Sequence, residues 1–318
     1  MSEAALPRRL KVGLASTAVL VVACLFGPLL LHRLPGNDPA RAALLPPGAL
    51  TTVVRATDGT VMVSRKVVAT ATAVTVFGPG KRETTMPRGA VASVASHRFW
   101  LGSDRFGRDL LYECLAGGRI SLAVASLSLV VALAFGLGVG LLAATSGRIV
   151  DAVLMRLVDA FLAFPILFLL ILCVTLFRPG PSLLVPILGF SSWMGLARLV
   201  RGQVLSLRQR PFILAARTAG SPWYRIWGWH YIPNLAGPVS QDAALRMGDL
   251  VLAEATLSFL GLGIPPSTPT WGSLVAQGHQ VLADAWWLAT FPGLAIAALI
   301  ISLALIGDGL QEMVRGGG

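Results

Sequence analysis

Charge is scarce in this 318-residue chain: 13% of its residues are Asp, Glu, Lys or Arg, against 55% that are hydrophobic. A soluble domain of this length has too little interior to hide so much apolar surface, which excludes that class and places the excess in lipid. Cysteine is scarcer still, with Cys24, Cys114 and Cys173 far apart and two of them inside apolar runs, so no disulfide framework is expected. The four histidines, His32, His97, His230 and His279, have no companion at metal-ligand spacing, which argues against a bound metal. Catalytic signatures are missing as well. The chain has no Gly-rich phosphate loop with lysine, no Gly-x-Ser-x-Gly, no His-Glu-x-x-His and no dinucleotide fingerprint, so it carries no catalytic engine of those kinds. No internal repeat and no sustained heptad is present, which excludes a solenoid or coiled coil.

What is present is a series of apolar runs. Val12 to Leu31 is about the 20 residues that a spanning helix needs and follows Arg8, Arg9 and Lys11. Val21-Val22-Ala23-Cys24 resembles a lipoprotein cleavage box, but the apolar run continues through Leu25 to Leu31. Further runs fall near Ile120 to Ala144, Val158 to Phe177, Leu183 to Leu199, Leu235 to Leu260 and Trp287 to Ile306. This predicts an all-α polytopic membrane protein of about six transmembrane helices with both termini in the cytoplasm. The net charge of +11 agrees by position: Arg148 and Arg156 lie between the second and third runs, and Arg198, at the end of the fourth run, with Arg201, Arg208, Arg210, Arg217 and Arg225 beyond it, surround the stretch between the fourth and fifth. Gly261 to Ala285, on the opposite side, contains no lysine or arginine.

The segment from His32 to about Gly118 is polar and reads as extracytoplasmic. Thr51 to Thr57 meets Thr60 to Ser64 across Asp58-Gly59, a strong hairpin signal, and Val67 to Phe77 is a further alternating stretch ended by Gly78-Pro79-Gly80. The expected organisation is an N-terminus and first helix over 1–31, an extracytoplasmic segment over 32–118 with a small β-rich insertion at about 51–88, a core of five transmembrane helices over 119–311, and a cytoplasmic tail over 312–318.

Within that core, residues 201–233 form a polar island. Pro211 can open a short helix and Gly220 can close it in the left-handed conformation. Ser221-Pro222 reads as an N-cap with proline at the first position of a second helix, which Pro233 stops. Trp223, Tyr224, Ile226, Trp227 and Trp229 give that second helix an aromatic surface. Such a surface suits a docking knob for a soluble partner, or a helix lying at the headgroup level; composition alone does not separate the two. A helix-turn-helix for DNA is disfavoured, because apolar spans crowd both flanks and leave no access to a groove; no nucleic acid partner is expected.

The fifth run carries Asp242, Arg246, Asp249 and Glu254. Spacings of four and three let one face pair Arg246 with Asp242 and with Asp249. Intramembrane charges are candidates for a pathway or gate, here Arg246, Asp249 and Glu254; the bland alternative for Asp242 and Arg246 is a self-neutralised cluster near the cytoplasmic end. Asp159 and Asp308 sit near interfaces. Gly136-Leu137-Gly138-Val139-Gly140 and Pro165, Pro186 and Pro292 permit close helix approach and kinks.

With these motifs in view, the chain resembles the permease subunits of the dipeptide/oligopeptide/nickel class of binding-protein-dependent ABC importers, in particular the second permease of the pair. The likeness runs from about His97 to Gln311. It rests on Leu101-Gly102-Ser103-Asp104-Arg105-Phe106-Gly107-Arg108-Asp109, Gly118-Arg119-Ile120-Ser121-Leu122, Asp159-Ala160-Phe161-Leu162-Ala163-Phe164-Pro165, Leu252-Ala253-Glu254-Ala255-Thr256-Leu257-Ser258-Phe259-Leu260-Gly261, and the island itself. The resemblance implies the type I ABC importer permease fold and a multi-pass place in a bacterial inner membrane. It implies four kinds of partner: a second permease, two cytoplasmic ATPase subunits, an extracytoplasmic substrate-binding protein and the lipid bilayer. No cofactor is expected on this chain, since ATP and Mg would sit in the ATPases.

The island resembles that family's ATPase-coupling loop, which gives coupling roles to Leu214, Ala215, Ala216, Gly220, Ser221, Pro222, Trp223, Arg225 and Pro233. Leu214 departs from the family pattern, which has glutamate there. The stretch from about Thr51 to Arg88 is longer than the family's usual external segment. Peptides are the cargo that the resemblance implies, with nickel complexes, glutathione or oligosaccharides left open. The competing classes are a proton-coupled secondary transporter using Asp249 and Glu254, and a structural membrane scaffold.

Overall fold

The computed structural model describes residues 6–31, 42–64, 66–77, 83–163, 165, 168, 171–172, 175–176, 180–265 and 268–316. Helix α1 (Arg8–Leu30) is followed by six strands, β1 (Ala49–Ala56), β2 (Val61–Ser64), β3 (Val67–Ala69), β4 (Ala73–Phe77), β5 (Glu83–Pro87) and β6 (Val91–Phe99). Then come α2 (Leu110–Thr145), α3 (Arg148–Ala163), α4 (Pro181–Leu207), α5 (Pro211–Thr218), α6 (Trp223–Ile226), α7 (Ile232–Phe259), α8 (Trp271–His279) and α9 (Trp287–Gly316). A π-helical turn, Trp227–Tyr231, joins α6 to α7.

Among the described residues, four helical stretches are long and apolar enough to cross a membrane: Arg8–Leu30, Leu110–Thr145, Ser182–Leu207 and Trp287–Met313. Helix α7 has 28 residues, enough length, but carries the four ionisable side chains that set it apart from those four. Helix α3 is 16 residues long, and most of the run that should continue it to Phe177, including Cys173, lies outside the described residues. The same holds for His32 and for Gly78-Pro79-Gly80.

Close contacts divide the chain into two compact units. One comprises Val21–Ile120 and Pro266–Ala295. Its strands form two three-stranded antiparallel sheets, in the orders β2-β1-β6 and β3-β4-β5. The Asp58-Gly59 turn joins β1 to β2, and Gly59 takes φ +87°, a left-handed conformation in which glycine carries no Cβ penalty. Asp58 accepts from the Thr60 amide at 2.9 Å and from its hydroxyl, which holds the Asp58 carboxyl below its usual range. The sequence presents Val67 to Phe77 as one alternating stretch; the structure folds it into β3 and β4, turned at Thr70, whose amide and hydroxyl both bond the Ala73 carbonyl at 2.8 Å. Val54, Val74 and Val76 are fully buried together, while Val53, Val61, Val63 and Phe99 pack on Ala42 and Leu45.

The loop between β6 and α2 is tightly bonded. Buried Asp104 accepts from the Phe106 and Arg108 amides, both at 2.8 Å, and from the Arg108 guanidinium at 2.6 Å. Asp109 starts α2 by accepting from the Leu111 amide at 2.9 Å. Thr270 and Ser273 form a capping box at α8, and the Trp271 indole donates to the Cys114 carbonyl at 2.9 Å.

The other unit comprises Met1–Leu20, Ser121–Pro265 and Ile296–Gly318. Here the glycine run of α2 has a packing reason: a Cβ on Gly136 would stand 2.6 Å from Leu196, and one on Gly140 2.7 Å from the Ala197 carbonyl, so both seat α4. A Cβ on Gly138 would meet nothing within 4 Å among the described residues. Arg201 pairs with Asp151, with Nη2 2.6 Å from Oδ2, and Arg198 pairs with Asp159, which ties α3 to α4. Arg9 pairs with Asp308 and Glu312 at 3.7 and 3.4 Å on an exposed surface, contacts that contribute little.

Candidate coupling surface and intramembrane polar sites

The island folds as a short helical hairpin. Pro211 occupies the first turn of α5, where its missing N–H leaves nothing unsatisfied. Gly220 closes α5 with φ +74°, as expected for a left-handed cap. The Gly220 amide donates to the Arg217 carbonyl at 3.0 Å and the Ser221 amide to the Ala216 carbonyl at 3.1 Å, the Schellman pattern. The second helix begins differently from the sequence reading. Pro222 is its cap and no side chain caps it, so Ser221 is spent on the turn and Trp223 opens the helix.

Nor does Pro233 stop that helix. The run from Trp223 continues through the π turn into α7, and Pro233 stands in the first turn of α7. Two local features permit it. The widened turn closes with the Ile232 amide on the Trp227 carbonyl, and the Asn234 side chain donates to the His230 carbonyl at 2.6 Å, so backbone acceptors near the proline are satisfied from elsewhere.

One buried apolar side chain anchors each short helix. Ile213 is the buried residue of α5 and Ile226 that of α6. They join Leu141, Ala144, Leu196, Val200, Val204, Tyr231 and Leu235 in one apolar cluster. The Arg208 guanidinium also bonds the Ala144 carbonyl at the end of α2, and Arg217 reaches the Tyr231 hydroxyl at 3.3 Å. The outer face remains bare: Phe212, Leu214, Trp223, Tyr224 and Trp229 are all exposed, Trp229 by 80%. Ala215, Arg217, Gly220, Arg225 and Pro233 are exposed too, and Ala216, Ser221 and Pro222 half-buried. A groove lined by Tyr224, Arg225, Gly228, Trp229 and His230 crosses this face. No Asp or Glu occurs anywhere between residues 160 and 241, so the hairpin itself brings cationic and aromatic side chains to this surface and no carboxylate of its own. Ile213 was not picked out by sequence, because it lies between Phe212 and Leu214 and an eight-residue helix gives no periodicity to say which apolar side chain turns inward.

The gate candidates do not converge. Arg246 pairs with Asp242 and donates to the Ser192 carbonyl of α4 at 2.6 Å; a Cβ on Gly195 would stand 2.8 Å from the guanidinium, so that glycine makes the room. Asp249, expected to share Arg246, makes no ion pair among the described residues and stands on an exposed face with Leu245 and Leu252. Glu254 is wholly buried, and accepts from the Ser121 hydroxyl of α2 and the Ser258 hydroxyl one turn on, both at 2.7 Å. Ser121 was visible in the sequence only as part of the Gly118-to-Leu122 motif.

Residues 136–316 match the family described as "Binding-protein-dependent transport system inner membrane component". The di/tripeptide transport system permease protein DppC of Pseudomonas aeruginosa (strain UCBPP-PA14) is 36% identical over 215 residues, 68% of this chain and 71% of that protein. The dipeptide transport system permease protein DppC of Alkalihalophilus pseudofirmus (strain ATCC BAA-2126 / JCM 17055 / OF4) is 37% identical over 227 residues, 68% of this chain and 71% of that protein. In structure, the chain resembles the inward-facing MetNI methionine ABC transporter, with a TM-score of 0.52 at 20% identity over 66% of this chain and 98% of that one. The chain belongs to the binding-protein-dependent transport system inner membrane component family. It is a permease subunit of a binding-protein-dependent ABC importer, with the type I permease fold, and not an enzyme. None of these likenesses supports the proton-coupled transporter.

Proposed function

We propose that this subunit carries di- and oligopeptides across a bacterial inner membrane, with a second permease forming the other wall of the pathway. Six spanning helices, with α3 and α7 beginning the two that the apolar count omits, leave both termini in the cytoplasm and the β-rich insertion outside, facing a soluble substrate-binding protein. ATP and Mg belong to two cytoplasmic ATPases that grip the helical hairpin at 211–233. Closure of the ATPases moves the hairpin, and the hairpin moves α7 and its gate candidates. The peptide cargo is suggested by the names of the relatives.

The observation that carries this reading is the hairpin itself: a compact element, anchored from below by Ile213 and Ile226, whose outer face exposes Phe212, Trp223, Tyr224 and Trp229 with Arg217 and Arg225. The test is Gly220→Pro, which forbids φ +74°, alongside the surface change Arg225→Glu. In proteoliposomes holding the complete transporter, both variants insert normally, yet ATP hydrolysis no longer drives peptide uptake. Normal uptake per ATP in both variants overturns the coupling role.

A further inference from the structure

In the strand-bearing unit, one face of the β1 and β6 pair, the end of α1 and the start of α2 border an open cavity of about 470 Å3 that the transport reading does not use. Its walls include Leu30, Leu31, Arg55, Ser93, His97 and Tyr112. We propose that this cavity binds the phosphate of an anionic phospholipid headgroup.

Four observations carry it. Arg55 lies directly across the strand pair from Ser93, and has no hydrogen-bond or ion-pair partner among the described residues. Tyr112, in the first turn of α2, likewise offers a hydroxyl with no partner among them. The carboxylate in the lining, Asp109, is committed: one oxygen takes the Leu111 amide and the other the His97 imidazole, at 2.9 and 2.8 Å. The cavity is therefore left with a guanidinium and hydroxyl donors, a set that matches a phosphate and gives Arg a bidentate grip.

The fourth observation is position. Leu29 and Leu30 are 72% and 80% exposed at the last turn of an apolar spanning helix, so the mouth of the cavity stands where hydrocarbon gives way to headgroups. A lipid satisfies both halves of the site, its phosphate on Arg55 and its glycerol and first methylenes on Leu30 and Leu31. A free phosphate satisfies only the first. The volume falls within the roughly 300–1,000 Å3 of ordinary ligand pockets.

The test uses the complete transporter purified in a neutral detergent, titrated with short-chain phosphatidylglycerol and, separately, with inorganic phosphate, and read by native mass spectrometry. Phosphatidylglycerol binds the parent protein. Arg55→Gln weakens it about tenfold or more, the loss of a charge-assisted hydrogen bond. Tyr112→Phe weakens it a few-fold, and Arg55→Lys falls between parent and Gln. Arg55 is an exposed strand residue, so its variants keep the fold, which the melting temperature verifies. Unchanged lipid binding in Arg55→Gln overturns the proposal. So does displacement of the lipid by inorganic phosphate at equal concentration, which would assign the site to the free anion.

Discussion

Replacing Ile213 by alanine tests the coupling hairpin at its weakest point. Helix α5 has eight residues, and an isolated helix shorter than about 12–15 residues is marginal in water, so α5 persists because it is docked. Its docking rests chiefly on one side chain, since Ile213 is the buried residue among the eight and is 0% exposed, while Arg217 adds a hydrogen bond to the Tyr231 hydroxyl at 3.3 Å. Truncating a buried isoleucine costs about 2–5 kcal/mol, the lost transfer energy plus the cavity left among Val200, Val204 and Tyr231. Even the lower figure shifts the docked-to-undocked ratio about thirtyfold, at about 1.4 kcal/mol per tenfold. Ile213→Val should cost about 0.5–1.5 kcal/mol and fall between parent and alanine. Hydrogen exchange reads the equilibrium at the Ala219, Gly220 and Ser221 amides, whose bonds to Ala215, Arg217 and Ala216 exist while α5 is formed. Protection at those amides should fall in the alanine variant while α2 and α4 stay protected, and peptide uptake should fall in step. Full protection in Ile213→Ala refutes the single-anchor argument. Lost protection with uptake intact refutes the hairpin as the handle.

Arg246→Ala should leave Asp242 without its partner and remove the guanidinium bond to the Ser192 carbonyl; with side chains 18% and 20% exposed, the orphaned carboxylate costs up to about 3 kcal/mol. The yield of assembled transporter in detergent should drop, and Asp242→Asn with Arg246→Gln should recover most of it, because no unpaired charge remains. Glu254→Gln should keep transport, since the Ser121 and Ser258 hydroxyls can rotate to serve an amide as well as a carboxylate. Glu254→Ala should lose assembly. A Glu254→Gln transporter that assembles fully and yet carries nothing would move the reading toward proton carriage.

The elements most legible in the sequence are those fixed by solvent or by the backbone. Apolar runs locate α1, α2, α4 and α9 because a span has to be apolar along its length, although α2 starts ten residues before its run, in the Asp109 cap. Gly220 and Gly59 were legible because a left-handed residue at a turn favours glycine. Long-range partners were not. Strand β6 (Val91–Phe99) was not singled out within the polar segment 32–118, and it is a strand because it pairs along β1, some 40 residues earlier in the chain. The Arg246 environment was half legible: its spacing to Asp242 and Asp249 is symmetric enough to allow both, and the Ser192 carbonyl and the gap at Gly195 decide for Asp242.

The continuity of the helix at Pro233 bears on mechanism more than any other departure. A proline stop would have made the hairpin a hinged appendage, and a force applied to Trp223 or Arg225 would dissipate in the hinge. Instead helical structure runs without a break from Trp223, through the π turn, to Phe259. At 1.5 Å per residue such a rod is about 55 Å long. It places the exposed aromatic face at one end and Asp242, Arg246, Asp249 and Glu254 along its length. Pro233 and Pro238 can bend it, since each removes a backbone donor, but a bend conveys displacement where a flexible loop does not. The π turn follows the same logic. It widens the helix one turn before the proline, where the ring would otherwise press on the preceding carbonyl, so the chain keeps both the bend and the connection.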